Sequence, residues 1–172
     1  RERVIGLLGS LSEWMWVCTF HSACARILRR DASLLGYRSN FTIYDEDDST
    51  RLIKHCLEDL RLDIKRFPPR GVQSLISDAK NKLIDVDEFA QRGGSGEGSW
   101  DGGAAGSGEG LSGYLDIAAQ VYRRYQARLL EQNALDFDDL LMRTVDILRL
   151  FPERLAYYRD QVCPVLVDEY QG

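Results

Sequence analysis

Residues 165–171, VLVDEYQ, are the stretch from which the fold can be worked out. Their β-branched and aliphatic side chains predict a short buried strand that ends in two adjacent carboxylates. In α/β proteins that bind nucleotides, ligands lie at the carboxyl edge of a parallel sheet. There an aspartate can hold Mg²⁺ on a nucleoside triphosphate, and a neighbouring glutamate can orient or deprotonate water. The heptapeptide alone leaves a second interpretation open, a surface strand that ends in two solvated acids.

The composition is that of a soluble globular protein. Of the 172 residues, 44% are hydrophobic and 28% are charged, which allows a real core. A formal net charge of −5 argues against a surface that grips nucleic acid everywhere, but it does not exclude a local basic groove. No apolar run approaches the ~18 residues that span a bilayer, and no signal peptide opens the chain. The four cysteines lack CxxC spacing, so we expect reduced thiols in a cytoplasmic protein without a membrane partner.

A second short strand is predicted near the amino end. Residues 14–20, WMWVCTF, are aromatic and rich in β-formers, and they run through a polar turn into a helix whose arginines lie off its apolar face. Gly36 is expected to end that helix, and residues 40–44, NFTIY, fit a short extended piece. The predicted order is therefore strand, polar turn and basic helix.

Helices with one apolar face are predicted for most of the chain between the two strands. The acids of residues 45–50 precede apolar positions at helical spacing, and we interpret them as a helix cap because no calcium-loop ligands follow. A further helix covers residues 70–83, with Lys80 and Lys82 facing outward, and residues 85–89 resemble another capped start.

The composition changes between residues 93 and 113, where ten of the chain's 15 glycines fall. Such a stretch buries too little apolar surface to offset its ordering entropy, so a flexible loop is expected. It could tether two domains. We favour a long loop at the tip of one bundle, because the helices on both sides look like parts of the same bundle.

Order is expected to resume at Tyr114 with a helix of roughly five turns. Residues 133–141 predict a second acid-capped start, for a helix that ends near Leu150, and residues 153–159 predict a short helix. The acids at this start could suggest a metal cluster, but capping is the simpler account. The acids concerned are Asp136, Asp138 and Asp139, and two tyrosines of the long helix, Tyr122 and Tyr125, are expected in the core.

Four strings, in this order along the chain, resemble the UvrD/PcrA/Rep class of superfamily 1 DNA helicases. They are TFHS at 19–22 followed by CARILRR at 24–30, NFTIYD at 40–45, ALDFDDL at 134–140, and VDEYQ at 167–171. Any one string is weak, but four in sequence at compatible distances are specific. The resemblance departs from the family at Gly172, where the family has Asp, and in the Gly-rich stretch, which is longer than expected.

The resemblance implies a parent protein with two RecA-like motor domains, each with an inserted subdomain, that moves 3′ to 5′ along single-stranded DNA using ATP. This chain would be a mainly α fragment of the first motor domain. Residues 23–160 would form a helical bundle, the 1B-type insertion subdomain, with the flexible loop at 93–113. Two short strands left from the RecA-like α/β domain would flank it, in residues 1–22 with the Thr-Phe-His-Ser turn and in residues 161–172 with the Asp-Glu motif.

The resemblance also implies roles for individual residues. Glu169 would be the catalytic base, Asp168 would coordinate Mg²⁺ through its water shell, and Gln171 would bind ATP. Without a GxxxxGK[ST] string, the fragment is not expected to hydrolyse ATP alone. The residues expected to bind DNA are Thr19, Phe20, His21, Ser22, Arg26 and Arg30.

Alternatives remain for these side chains and for the whole chain. A lone histidine such as His21 is more often structural than catalytic, and arginines at a helix end more often complement its dipole than touch a ligand. The expected partners are single-stranded DNA, single/double-strand junctions, and repair or replication proteins. The rival hypothesis is a helical module that binds a protein through its Tyr- and Arg-rich helices. A second cationic cluster for DNA lies around the Pro-Pro break, at Arg61, Lys65, Arg66 and Arg70.

Overall fold

The computed structural model describes residues 18–95 and 109–162, and helices dominate these ranges. Both strands predicted from the sequence lie outside the described residues, except for residues 18–20 of the first. The helices are α1 (Phe20–Asp31), α2 (Glu46–Asp59), α3 (Pro69–Asn81), α4 (Val86–Ser95), α5 (Glu109–Glu131), α6 (Phe137–Leu150) and α7 (Pro152–Val162). The strands are β1 (Thr42–Tyr44) and β2 (Ala134–Asp136).

Helix α1 begins earlier than the sequence predicted. Thr19 is its N-cap, with extended backbone angles, and its hydroxyl accepts a bond from the Ser22 N–H at 3.3 Å. The predicted polar turn is therefore the first turn of a helix, and Phe20 is helical rather than part of a strand. A threonine that satisfies an orphan N–H favours this start over strand continuation. At the other end, a 3-10 turn, Ala32–Leu35, extends the helix to Gly36, whose φ of 85° confirms it as the stop.

The two strands form a small parallel sheet. Thr42 pairs with Ala134 and Tyr44 with Asp136. The extended piece around β1 was predicted, but β2 was taken for part of a helix start. Three residues are too short to show a strand period, and the pairing partner lies about 90 residues away. Asn133, with φ of 50°, holds the entry to β2 because its carbonyl accepts the Thr42 N–H at 3.0 Å.

Each strand runs directly into a capped helix. Asp45 follows β1 and its carboxylate accepts the Asp48 N–H at 2.9 Å, which confirms the acid cap predicted for α2. Asp136 ends β2 and caps α6 in a full capping box with Asp139. Because the strands are parallel and in register, the amino ends of α2 and α6 lie on the same edge of the sheet.

Two apolar cores lie on this frame. The larger one is built from α2, α3, α4 and α5 and includes Tyr122 and Tyr125, so the prediction of both as core residues is confirmed. The smaller one joins α1, β2 and α6 through residues such as Leu28, Leu135 and Leu140. The bundle and the helix that carries the Thr-Phe-His-Ser string therefore have separate cores that share β2.

Two sequence predictions about the helices need correction. Lys80, expected on the outer face of α3, is 1% exposed. The Gly-rich loop is shorter than predicted, because residues 93–95 continue α4 and α5 already begins at Glu109. Helices α4 and α5 pack against each other, and tertiary contacts of this kind stabilise helices that contain poor helix formers. In the described ranges, no helix is long and apolar enough to cross a membrane.

Candidate nucleic-acid interface

The amino end of α1 presents the Thr-Phe-His-Ser string to solvent. Phe20 is 62% exposed, which is unusual for a large aromatic side chain, and His21 is exposed next to it. The Thr19 and Ser22 hydroxyls lie 2.9 Å apart and are also exposed. Capping thus fixes the backbone of the turn and leaves its aromatic side chains facing water.

The amino end of α6 brings a third aromatic ring to the same place. Phe137 is the first residue of α6 and is 51% exposed. Its ring centroid lies 6.2 Å from that of His21, in an edge-on arrangement with an interplanar angle of 82°. We call Phe20, His21 and Phe137 the aromatic ridge. The exposure of Phe137 was not predicted from the sequence, in which the string around it served only as a family signature.

A signal for Phe137 was present in the sequence. Leu135 and Leu140 flank it in the same string and are both buried. Phe137 lies where a strand ends and a helix begins, between these two apolar residues and next to the capping acids. A side chain in that position points away from the core. An aromatic residue in that position therefore indicates a contact surface rather than packing.

The two helix ends differ in charge. The first turn of α1 contains no acid, whereas the first turn of α6 contains Asp138 and Asp139. An anion is therefore favoured at the α1 end, where the positive end of the helix dipole is not countered by a local carboxylate. Arg26, exposed on α1, adds a positive charge along the same helix.

The arginines at the end of α1 make contacts within the protein. Arg29 donates to the carbonyls of Ser39 at 2.8 Å and Phe41 at 2.6 Å. Arg30 donates to the Tyr157 hydroxyl at 2.5 Å and stacks 4.4 Å over the same ring. These contacts fix α1 against the loop before β1 and against α7, and DNA contact by Arg30 stays a prediction.

A buried charged cluster lies beneath Phe137. The Lys80 ammonium is within 2.6 Å of an Asp136 oxygen, 2.9 Å of an Asp139 oxygen and 3.1 Å of the Gln126 amide oxygen. The Tyr125 hydroxyl donates to Asp136 at 2.9 Å. We call Lys80, Asp136 and Asp139 the buried triad, and it explains why a lysine can lie inside the bundle.

Burial and charge set the protonation of the triad. Burial raises the pKa of Asp139 to about 6, against the lowering effect of Lys80 and with a further increase from Asp136. Burial acts in the same direction on Asp136, but the charge and hydrogen bond of Lys80 outweigh it, so the pKa of Asp136 is lowered. The two carboxylates therefore titrate apart, and Asp136 is the one held ionised.

The acids at the start of α6 serve the cap rather than a metal. Asp139 accepts from the Gln126 amide at 3.1 Å, and its N–H donates to Asp136 at 2.8 Å. Across residues 18–95 and 109–162, no cluster of His, Cys, Asp and Glu could hold a metal ion. The capping box confirms the capping interpretation for Asp136 and Asp139. The predicted nucleotide-site residues Asp168, Glu169 and Gln171 lie outside the described part of the chain.

A cleft of about 350 Å³ opens at the carboxyl edge of the small sheet. Phe137 lines it, so the cleft adjoins the aromatic ridge. Its lining carries acids such as Asp45 and Asp138, with Arg70 as a cation. This charge balance suits phosphates less well than the amino end of α1 does.

The surface required by the rival hypothesis is largely engaged inside the protein. Arg124 and Arg128 bind Asp59 at 3.3 and 2.6 Å, and Arg123 binds Asp87 at 2.6 Å. The hydrogen bonds from Arg128 and Arg124 lower the pKa of Asp59. With Tyr122 and Tyr125 buried and these arginines paired to acids of α2 and α4, this face of α5 makes contacts within the bundle.

Comparison with known proteins gives a consistent result over the whole chain. Residues 1–172 match the family model described as UvrD/REP helicase N-terminal domain. The chain is 48% identical over 172 residues to a Mycobacterium tuberculosis protein named ATP-dependent DNA helicase UvrD1, and 39% identical over 172 residues to Bacillus subtilis ATP-dependent DNA helicase PcrA. These alignments take in 99% of this chain but only 20% and 21% of the relatives, so the chain spans about a fifth of their length.

Proposed function

Because this chain belongs to the UvrD/REP helicase N-terminal domain family, we propose that it is part of an ATP-dependent 3′ to 5′ DNA helicase and supplies contacts to single-stranded DNA. Relatives that carry the name ATP-dependent DNA helicase support this class. Since the chain spans about a fifth of their length, unwinding and ATP hydrolysis are proposed for a longer protein.

The observation that carries the proposal is the aromatic ridge at the paired amino ends of α1 and α6. Phe20 and Phe137 each expose more than half of their surface. Neither side chain is charged, and neither caps a helix, so no local role accounts for their exposure. Stacking of a base on an aromatic side chain is worth ~1–3 kcal/mol and tolerates any sequence. A translocating motor needs contacts of this kind, because it must hold whichever base comes next.

Phosphates of the same strand would be held by the groups around the ridge. The α1 amino end attracts anions, and the Thr19 and Ser22 hydroxyls can donate to phosphate oxygens. Arg26 would add a cationic contact whose contribution depends on salt. Arg30 would act mainly by fixing α1 against Tyr157.

The nucleotide site is proposed on the donor chemistry of the terminal string. Asp168 and Glu169 provide the carboxylate oxygens that Mg²⁺ prefers, so the residues present fit the ion. Bound Mg²⁺ neutralises charge on the triphosphate. Asp168 would hold the ion through its water shell, Glu169 would orient and deprotonate the attacking water, and Gln171 would contact ATP. A phosphate-binding loop has to come from outside this sequence, so we expect no ATP hydrolysis by the chain alone.

The helical part would act as an arm over the nucleic acid. Residues 23–160 correspond to the 1B-type subdomain, and their larger core is built around α2, α3, α4 and α5. The larger core is separate from the small core that carries the aromatic ridge. This separation supports a helical arm that is attached next to the DNA-contacting turn. Contact with single/double-strand junctions and with repair or replication proteins, and a cytoplasmic location, belong to the same proposal.

The test is a titration of the 172-residue chain with dye-labelled oligothymidylate of about 16 nucleotides, followed by fluorescence anisotropy across a salt series. We expect weak binding that falls as salt rises. Phe137→Ala should weaken binding by about 5- to 150-fold without changing the salt slope, which is the loss of one base stack. Leu150→Ala is the matched control, because Leu150 is 65% exposed at the opposite end of α6.

Two results would contradict the proposal. If Phe137→Ala binds like Leu150→Ala, the ridge does not contact DNA. Absent binding, or binding that salt does not change, would favour the protein-interaction module instead.

A further inference from the structure

We propose that Lys80 is a positioning residue that fixes the start of α6, and through it the Phe137 ring, in the geometry that receives a base. The inference rests on the proposed function, because it explains how one member of the aromatic ridge is held. Lys80 touches no nucleic acid in this account, since its side chain is fully enclosed.

Lys80 is connected to Phe137 through one residue, Asp136. Lys80 binds Asp136 directly, and Asp136 is the residue before Phe137 and the N-cap of the helix. The same ammonium binds Asp139, whose N–H and carboxylate close the capping box with Asp136. Both halves of the cap that orients the first turn of α6 are therefore attached to one side chain from α3.

Losing the ammonium has an electrostatic consequence. Asp136 and Asp139 would then share an enclosed site with Arg143, whose Nε lies 3.8 Å from Asp139 and whose Nη1 binds Asp146 at 2.9 Å. Neighbouring neutral groups, the Tyr125 hydroxyl and the Gln126 amide, can donate but carry no charge. Two buried carboxylates with one cation, which they share with Asp146, repel each other, so the cap would open or take up a proton.

Lys80 also links the two cores. The lysine extends from α3, in the bundle core, to the junction of β2 and α6, which carries the small core. The centroid of the Tyr125 ring lies 5.1 Å from the Lys80 ammonium, so this ring forms one side of the buried site. A buried ion pair adds little net stability compared with apolar packing, but its geometry is demanding. Lys80 is therefore suited to setting the register of α6 against the bundle, which a methionine of similar length could not do.

The experiment compares Lys80→Met, Phe137→Ala and their combination in the 172-residue chain, with the anisotropy titration as readout. Val72→Ala is the control for general destabilisation, since Val72 is fully buried on the same helix about two turns before Lys80. We expect folded Lys80→Met to bind oligothymidylate about tenfold more weakly with an unchanged salt slope. The double variant should bind no more weakly than Phe137→Ala alone, because both changes remove the same stacking contact.

A second readout separates positioning from loss of stability. Amide hydrogen exchange should increase in the first turn of α6 for Lys80→Met. Val72→Ala, compared under conditions in which the two variants are equally stable, should not show this local increase. Should Lys80→Met fail to fold, Lys80→Met/Asp139→Asn removes one charge of each sign, and we expect it to fold and still bind weakly.

The outcomes distinguish this inference from the proposed function. Wild-type affinity in a folded Lys80 variant, or additive losses in the double variant, would overturn the positioning role while Phe137→Ala still supports the ridge. Wild-type affinity for Phe137→Ala would overturn the ridge itself, and the Lys80 inference with it.

Discussion

Asp139 should give this protein a pH dependence of stability that one substitution removes. The side chain is fully enclosed, with Lys80, Asp136 and Gln126 around it. Burial raises the pKa of Asp139 from 3.8 to about 6 in the folded chain. Asp139→Asn keeps an oxygen that can accept the N–H of Asp136 but cannot ionise, so it tests the charge without removing the shape of the cap.

The sign follows from proton binding. A carboxyl with a raised folded pKa holds its proton more tightly when folded, so its contribution to stability is complete below pH 3.8 and is lost as the pH rises to about 6. The difference in pKa corresponds to about 3 kcal/mol over this window, or roughly 1 kcal/mol per pH unit near its centre. The lowered pKa of Asp136 makes a contribution to stability that is present above the ordinary pKa of an aspartate, 3.8. That contribution is lost only as the pH falls below this value.

The assay is urea unfolding followed by far-ultraviolet circular dichroism between pH 4.5 and 6.5. The free energy of unfolding of the wild type minus that of Asp139→Asn should fall by about 2 kcal/mol across this range. Asp138→Asn is the matched control, because it removes the neighbouring carboxylate and leaves the buried triad intact. Parallel curves for wild type and Asp139→Asn would refute the assignment of the raised pKa to Asp139.

Two further predictions concern contacts that hold α1 and α2. Tyr158→Phe should lower the free energy of unfolding by about 1–3 kcal/mol, because buried Asp31 loses its bond from the Tyr158 hydroxyl while its contact with Arg154 at 3.5 Å remains. Urea unfolding at pH 7 measures the change, and an unchanged midpoint would contradict it. Asp45→Ala should cost about 1 kcal/mol in urea unfolding through loss of the α2 cap. Asp47→Ala removes an exposed carboxylate of the same first turn that is not the N-cap, so it should cost only about 0.3 kcal/mol in the same measurement.

Local chemistry was predictable in most places where neighbours in sequence are also neighbours in space, although the Thr19 cap of α1 was missed. Asp45 before an apolar helical pattern correctly predicted the start of α2, and Gly36 correctly predicted the end of the helical segment that α1 begins. The acids around Asp136 were correctly assigned to a cap. Each of these depends on hydrogen bonds between residues no more than four or five positions apart. The caps of α2 and α6 could therefore be predicted without knowing the fold.

Contacts between distant segments were not predictable in this way. Strand β2 forms only because β1, about 90 residues earlier, supplies its partner. The edge-on contact of His21 with Phe137 joins two helix starts that are 116 positions apart by residue number. The sequence identified the first helix start as a DNA-contact candidate, but it could not show that the second one completes the aromatic ridge.

The sequence by itself determined the helical character, the acid caps of α2 and α6 and, through its motif order, the family, whereas the helical start and the exposure of Phe20 came from the structure. Only the tertiary structure decided the position of Lys80. A lysine beside an apolar helical stripe is assigned to solvent because an unpaired buried ammonium is costly. That cost is offset here by Asp136 and Asp139, 56 and 59 positions away, which become neighbours of Lys80 only when the sheet brings the start of α6 against α3.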